Sequence, residues 1–407
     1  MKQPFTLITL LLSCISVHAG NNSKDSNIII SSAADVFEFI LDKSSNTVQV
    51  KEDLTINYTC NSFRTMVPVV QFYNNQIQID DADFSVDGKR PKGIAPTYSY
   101  YQIDDYFYSD AHICYLPLPL DKKGSIGTVT FKKTYRDPRY LTNIFFSDRY
   151  PVVSKQIIFK IPKWMSVDLK EMNFEAYSIT KTIDEKSNEE IYTYTAKNIE
   201  KESDENMCLG PTFIYPHILV VSKEASFQGN QFTYFKTVAE QYAWYRNILK
   251  DLTNDETIIK AKADEIVAGS KDDMNKIKAI FYWVQNNIRY IAFENGIAGF
   301  LPDKAEEVLR KKYGDCKGMA NLTKELLKAE GFDARLCWLG TNHIAYTYST
   351  PSLAVDNHMI CALMYKSKIY FLDATENYLE LNDYAERIQG REILIEDAEG
   401  EYFIPVE

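Results

Sequence analysis

The hydrophobic pattern of this 407-residue chain changes period once, and that change limits the folds open to it. From about Ser31 to Lys223 apolar and polar residues alternate. Val48, Val50, Leu54, Ile56 and Tyr58 form one such series, Val129, Phe131 and Tyr135 a second, and Ile157, Phe159 and Ile161 a third. Alternation puts successive side chains on opposite faces, so each run is a strand with one buried face. Asp87-Gly88 and Lys123-Gly124 are turn signals between runs. The pattern predicts an antiparallel β-sandwich of about 200 residues. A polar stretch over 222–234, containing Gly229, reads as a linker. Beyond it the period becomes helical, predicting helices over 241–249, 255–268, 272–288 and 304–311, with strands over 334–339, 359–365, 368–372 and 392–396. Strands followed by mixed helices and strands make the fold class α+β. The expected division is a signal peptide at 1–19, a β-sandwich domain at 20–225 and a second domain at 226–407.

The first residues carry the marks of an export signal. Lys2 precedes the apolar run 5–12, and Val17-His18-Ala19 forms a small-residue cleavage pattern before Gly20. The expected location is therefore periplasmic or secreted. A second reading takes Leu11-Leu12-Ser13-Cys14 as a lipoprotein box, with a lipid anchor on Cys14. The run is too short for a transmembrane helix, and no later segment reaches about 18 apolar residues. A net charge of −11 gives no electrostatic basis for nucleic-acid binding.

Cys60, Cys114, Cys208, Cys316, Cys337 and Cys361 lie beyond Gly20 at scattered spacings, without a CxxC pair, so no metal site is expected. Export permits disulfides, and Cys60 could pair with Cys114 or Cys208. Tyr98, Tyr100, Tyr101, Tyr106, Phe107 and Tyr108 crowd one short stretch; cross-strand pairing within the sandwich is preferred over stacking on sugar or peptide.

One cysteine stands apart. The stretch 313–331, YGDCKGMANLTKELLKAEG, places Cys316 in the first turn of a predicted helix. Asp315 is a favoured N-cap, Gly331 is the residue expected past a helix end, and Met319, Leu322, Leu326 and Leu327 give an apolar face. Unpaired backbone N–H groups and the positive end of the helix dipole meet at that position and favour a thiolate.

Two histidines follow, each preceded by asparagine. His343 leads into a loop-like stretch, whereas His358 opens the predicted strand 359–365, followed by Lys366-Ser367 and a strand ending at Asp373. If Lys366 and Ser367 are the two turn residues of a hairpin, antiparallel pairing sets Ile360 opposite Asp373. His358 shares a face with Ile360, so Asp373 lies diagonal to His358 and within reach of its imidazole. The order gives a nucleophile, a base and an orienting carboxylate.

From about 241 to 395 the chain resembles the bacterial transglutaminase-like domains, relatives of the papain-type fold. The motifs are Trp283-Val284-Gln285-Asn286-Asn287-Ile288-Arg289-Tyr290, Pro302 with Ala305, Val308 and Leu309, then Gly314-Asp315-Cys316-Lys317, Asn357-His358 and Asp373-Ala374-Thr375. The N-terminal part is similar to the β-rich domain of unknown function that often precedes such domains, with Pro211-Thr212-Phe213 and Pro216-His217 at the junction. The resemblance implies Cys316 as nucleophile, His358 as general base and Asp373 as its partner, acting on a protein or peptide amide through a thioester, with no cofactor. Three positions depart from the family pattern. Gly318 replaces a frequent acidic residue, Asp356 an aromatic or apolar one, and Ala374 a common proline. For the oxyanion, the backbone N–H of Cys316 is the first donor, and Tyr290 then Gln285 are the side-chain candidates. The alternative is a non-catalytic module that keeps the fold and binds a glycan, peptide or partner protein.

Overall fold

A computed structural model describes residues 26–103, 107–203, 209–291, 299–396 and 403–405. The expected signal peptide, Cys14 and Cys208 lie outside them.

The N-terminal region is built on a seven-stranded sheet. Its order is Ile179–Glu185, Glu189–Ile199, Val152–Pro162, Ile28–Asp42, Thr47–Cys60, Ile126–Tyr135 and Ile77–Val86. The alternation read from the sequence is the burial pattern observed: Val48, Val50, Leu54, Ile56 and Tyr58 all face the core. One pairing departs from the antiparallel expectation, because Ile28–Asp42 runs parallel to Val152–Pro162. Alternation fixes which face a residue takes but is blind to strand direction, and the intervening chain is long enough for the crossover a parallel pair needs. A three-stranded sheet, Thr65–Tyr73, Phe107–Leu120 and Thr97–Ile103, lies over it. The approach is close at Gly127, where a Cβ would meet Leu118 Cδ2 at 2.5 Å. Tyr98 and Tyr100 are exposed on the edge strand, with Tyr98 edge-on to Tyr73 at 5.9 Å. The side chains of Tyr101, Tyr106, Phe107 and Tyr108 lie outside the described set. Cys60 and Cys114 are free buried thiols, so they are not bridged to each other.

The stretch 222–234 is not a linker. His217–Phe227 and Asn230–Thr233 form a hairpin whose turn, Gln228 and Gly229, has φ of 50° and 83°. The polar, glycine-containing composition belongs to a left-handed two-residue turn. The expected boundary at 225/226 falls inside this hairpin, which pairs with Met165–Met172 and Asn143–Phe145. Its long strand is buried on both faces. Ile218 and Val220 enter the sandwich core, while Leu219 and Val221 join a second cluster with Tyr245, Trp338 and Cys316. One strand thus forms a wall shared by the two regions.

In the C-terminal region the helices Val238–Leu249, Glu256–Val267, Asp273–Asn287 and Ala305–Lys311 fall within a few residues of the predicted bounds. A five-stranded antiparallel sheet has the order Lys368–Leu372, His358–Tyr365, Asp333–Leu339, Glu392–Ile395 and Phe403–Pro405. The helix Cys316–Ala329 packs on it and is enclosed by its neighbours. Its first eight residues are all buried, not only an apolar stripe. The polar ones are satisfied inside: Asn321 Nδ2 donates to Asn254 Oδ1 and to the Asp303 carbonyl, each at 3.0 Å, and Thr323 Oγ1 donates to the Met319 carbonyl at 2.8 Å. No helix among the described residues is long and apolar enough to cross a membrane.

Candidate active site

The Cys316 helix is fixed at its start by its own sequence. Asp315 is the N-cap; its Oδ1 accepts from the Gly318 backbone N–H at 2.7 Å, and Lys317 Nζ lies 2.6 Å from its Oδ2. Gly318 is held to a small residue, since a Cβ there would meet Val308 Cγ2 at 3.0 Å and Asp315 Oδ1 at 3.4 Å. An acidic side chain at this position would press a second carboxylate against Asp315, which accounts for the departure noted in the sequence.

The hairpin 358–373 has the predicted parity. Lys366 and Ser367 are left-handed, with φ of 50° and 60°, and Cys361 pairs with Leu372. That register places His358 Nε2 2.9 Å from Asp373 Oδ2. His343, by contrast, is exposed on a loop. All four acceptor positions of the Asp373 carboxylate are filled. Thr375 donates to Oδ1 from its backbone N–H at 3.1 Å and its hydroxyl at 2.6 Å; His358 and Arg387 Nη2, the latter at 3.1 Å, meet Oδ2. Burial would raise this carboxyl, but His358, Arg387 and Thr375 together hold it well below the usual range. For His358, burial pulls down; the charge and hydrogen bond of Asp373, with those of Cys316, outweigh it and push the imidazole up to about 10. With Nε2 engaged by Asp373, Nδ1 is the nitrogen left for Cys316.

Cys316 and His358 line one cleft of about 250 Å³. Asn74, Ile77, Tyr140 and Thr142 of the N-terminal region also line it, so the sandwich completes the cleft. Trp338, Phe300 and Asp356 also line it. Asp356 is buried, and its Oδ2 accepts from the hydroxyls of Tyr245 and Tyr348. Burial raises its carboxyl to about 7 against the opposing pull of the two tyrosines.

The two auxiliary residues differ in place. Gln285 is buried and donates from Nε2 to the Leu379 carbonyl at 3.2 Å, whereas Tyr290 pairs with Gly314 in a two-residue parallel bridge, packs against the cluster that holds Cys316 and lies close to Arg387. The sequence reading missed Arg387, Trp338 and Tyr140. Thr375 had a local signal, as a hydroxyl two residues past a carboxylate. The other three come from distant segments and had none.

Residues 260–359 match the Transglutaminase-like superfamily, a span that contains Cys316 and His358 and stops short of Asp373. A sequence search finds no match among curated proteins. The crystal structure of a "putative protease" from Parabacteroides distasonis superposes with a TM-score of 0.67 at 13% identity, covering 94% of this chain and 72% of that one. A second structure, of a "putative cysteine protease" from Cytophaga hutchinsonii, aligns over 81% of this chain and 76% of that one at 11% identity, with a TM-score of 0.24. The first likeness extends through both regions and establishes a shared fold. The chain is a β-rich N-terminal region joined to a transglutaminase-like domain.

Proposed function

We propose that this protein is an exported cysteine enzyme that acts on amide bonds through a thioester at Cys316. The observation that carries the reading is His358 paired with a fully satisfied Asp373 and interacting with a cysteine at a helix start on the same cleft. In the resting state the imidazole is protonated and faces the Cys316 sulfur. The thiolate attacks the amide carbonyl, the S–C bond forms, and the backbone N–H of Cys316 donates to the oxyanion. The C–N bond then breaks and the His358 proton leaves with the amine. Water or a second amine attacks the thioester, its proton returns to His358, and the Cys316 thiolate is released. Water gives hydrolysis or deamidation; an amine gives transfer.

The test is the rate of iodoacetamide labelling at pH 7, resolved by cysteine with peptide mass mapping. Cys337 and Cys361 are fully buried, and burial pushes both thiols up, so they serve as internal references. Cys316 is expected to label fastest, and His358→Ala to remove that advantage. If Cys316 labels no faster than the references and no amide is turned over, the enzyme reading falls and the cleft becomes a binding site.

A further inference from the structure

Among the described residues, Lys317, Asp356 and His358 are the carboxylate and basic side chains that line the cleft beside Cys316, and two of them are neutralised. Lys317 is paired with Asp315 at 2.6 Å and His358 with Asp373 at 2.9 Å. Asp356 has no cation beside it among the described residues. Both tyrosine hydroxyls reach the same oxygen, Oδ2, and no hydrogen bond among the described residues reaches Oδ1. A buried carboxylate without a counter-charge is costly, so either a proton or an incoming cation completes it.

The surrounding wall supplies a second, independent indication. Trp338 Nε1 and Tyr140 Oη are buried with no hydrogen-bond partner, and both residues line the cleft. Buried polar atoms are seldom left unpaired, and an indole N–H can only donate. What satisfies Trp338 is therefore an acceptor such as a carbonyl oxygen. Trp338, Tyr140 and Phe300 also present aromatic surface, which attracts an ammonium group. The pocket thus asks for a cation and a carbonyl oxygen within one small volume. At 250 Å³ it lies below the roughly 300–1,000 Å³ of ordinary ligand sites, which suits the end of a chain rather than a chain passing through. The first residue of a peptide carries both groups side by side.

We propose that Asp356 binds the free α-ammonium group of a peptide's amino-terminal residue, with Trp338 Nε1–H donating to a carbonyl oxygen of that chain end, so that Cys316 acts on amides near a free amino terminus. This rests on Cys316 being the nucleophile. Tyr245 and Tyr348 hold the carboxylate in place, and Tyr245 is itself stacked on Trp338 at 4.7 Å.

The experiment compares alanyl chloromethyl ketone with its N-acetyl form as alkylators of Cys316. The free-amine reagent is expected to react about tenfold faster with the wild-type protein, and Asp356→Asn to bring that ratio close to one. A protection measurement runs in parallel: alaninamide should protect wild-type Cys316 from iodoacetamide, N-acetylalaninamide should not, and Trp338→Phe should weaken the protection severalfold. Fast, equal reaction with both ketones and no protection by alaninamide overturns the amino-terminal pocket and leaves the nucleophile standing. Labelling of Cys316 no faster than that of the fully buried cysteines removes the nucleophile, and this proposal with it.

Discussion

Each half of the protein buries an ionic cluster, and the two differ in how completely they are satisfied. In the sandwich, Asp35, Glu52, Lys133 and Tyr135 occupy core-facing positions on neighbouring strands. Lys133 Nζ lies 2.6 Å from Glu52 Oε1, and the Tyr135 hydroxyl donates to Glu52 Oε2 at 2.8 Å, but Asp35 Oδ1 is buried without a partner. In the C-terminal region Asp373 has all its acceptor positions filled, and His358 opens onto the cleft. The sandwich cluster is closed off and carries an unmet demand, so its energy appears as stability. The Asp373 cluster is complete on the inside and leaves one imidazole nitrogen facing outward, so its energy appears as orientation.

The largest expected effect tests the outward-facing cluster. A positioned acid–base residue contributes about 10²–10⁴-fold, so His358→Ala should lower the labelling rate of Cys316 by about 10³-fold. An unchanged rate would mean that the His358–Asp373 pair is structural, like the one in the sandwich. The converse experiment is Lys133→Met, which strips Glu52 of its buried counter-charge and should cost about 3–5 kcal/mol in urea unfolding while leaving the Cys316 labelling rate alone. A change in labelling there would join the two clusters and break the contrast.

A third experiment uses pH. Burial, reinforced by Glu52, raises the Asp35 carboxyl from its ordinary 3.8 to about 7. A raised folded-state value means that the native protein holds a proton which the unfolded chain gives up. The stability from Asp35 is therefore fully present below pH 3.8 and lost as pH rises to about 7. Asp35→Asn should raise stability relative to wild type by about 1–3 kcal/mol at pH 8, and by less at pH 5, in paired urea titrations. An equal difference at both values would show that Asp35 is not the titrating group.

How much of this was legible beforehand depends on the range of the interaction. The His358–Asp373 pair follows from alternation and one two-residue turn, both local, and needed only the parity of Lys366-Ser367. The Cys316 helix was readable because Asp315 caps its start, Gly331 follows its end and the apolar positions between them recur at helical spacing. Strand direction was not readable, because Ile28–Asp42 meets Val152–Pro162 across more than a hundred residues. The hairpin at Gln228-Gly229 was misread as a linker because its turn has linker composition. Of the cleft's wall, Asp356 stands out in the sequence as an unusual residue before Asn357-His358, but Tyr140 and Trp338 do not. They meet Asp356 through the packing of both regions against the strand His217–Phe227.

Arg387 gives the smallest effect and the finest test of the comparison. Its Nη2 contacts Asp373 Oδ2, Thr375 Oγ1 at 2.6 Å and Glu376 Oε1 at 3.1 Å, bracing the carboxylate. Among the described residues its side-chain hydrogen bonds reach the cleft wall at His358 alone, so it acts through Asp373 as a positioning residue. Arg387→Gln removes the positive charge but leaves an amide that can still donate to Asp373. Losing this support should slow Cys316 labelling at pH 7 by about tenfold, well short of the loss in His358→Ala, because Thr375 and His358 still orient the carboxylate. The charge lost also weakens the hold on Asp373, so the acid limb of the labelling profile should move to higher pH. Arg387→Lys should recover part of the rate and most of the profile. A rate loss with an unmoved acid limb would show that Arg387 supports only the local structure, as the buried lysine of the sandwich does for its own sheet.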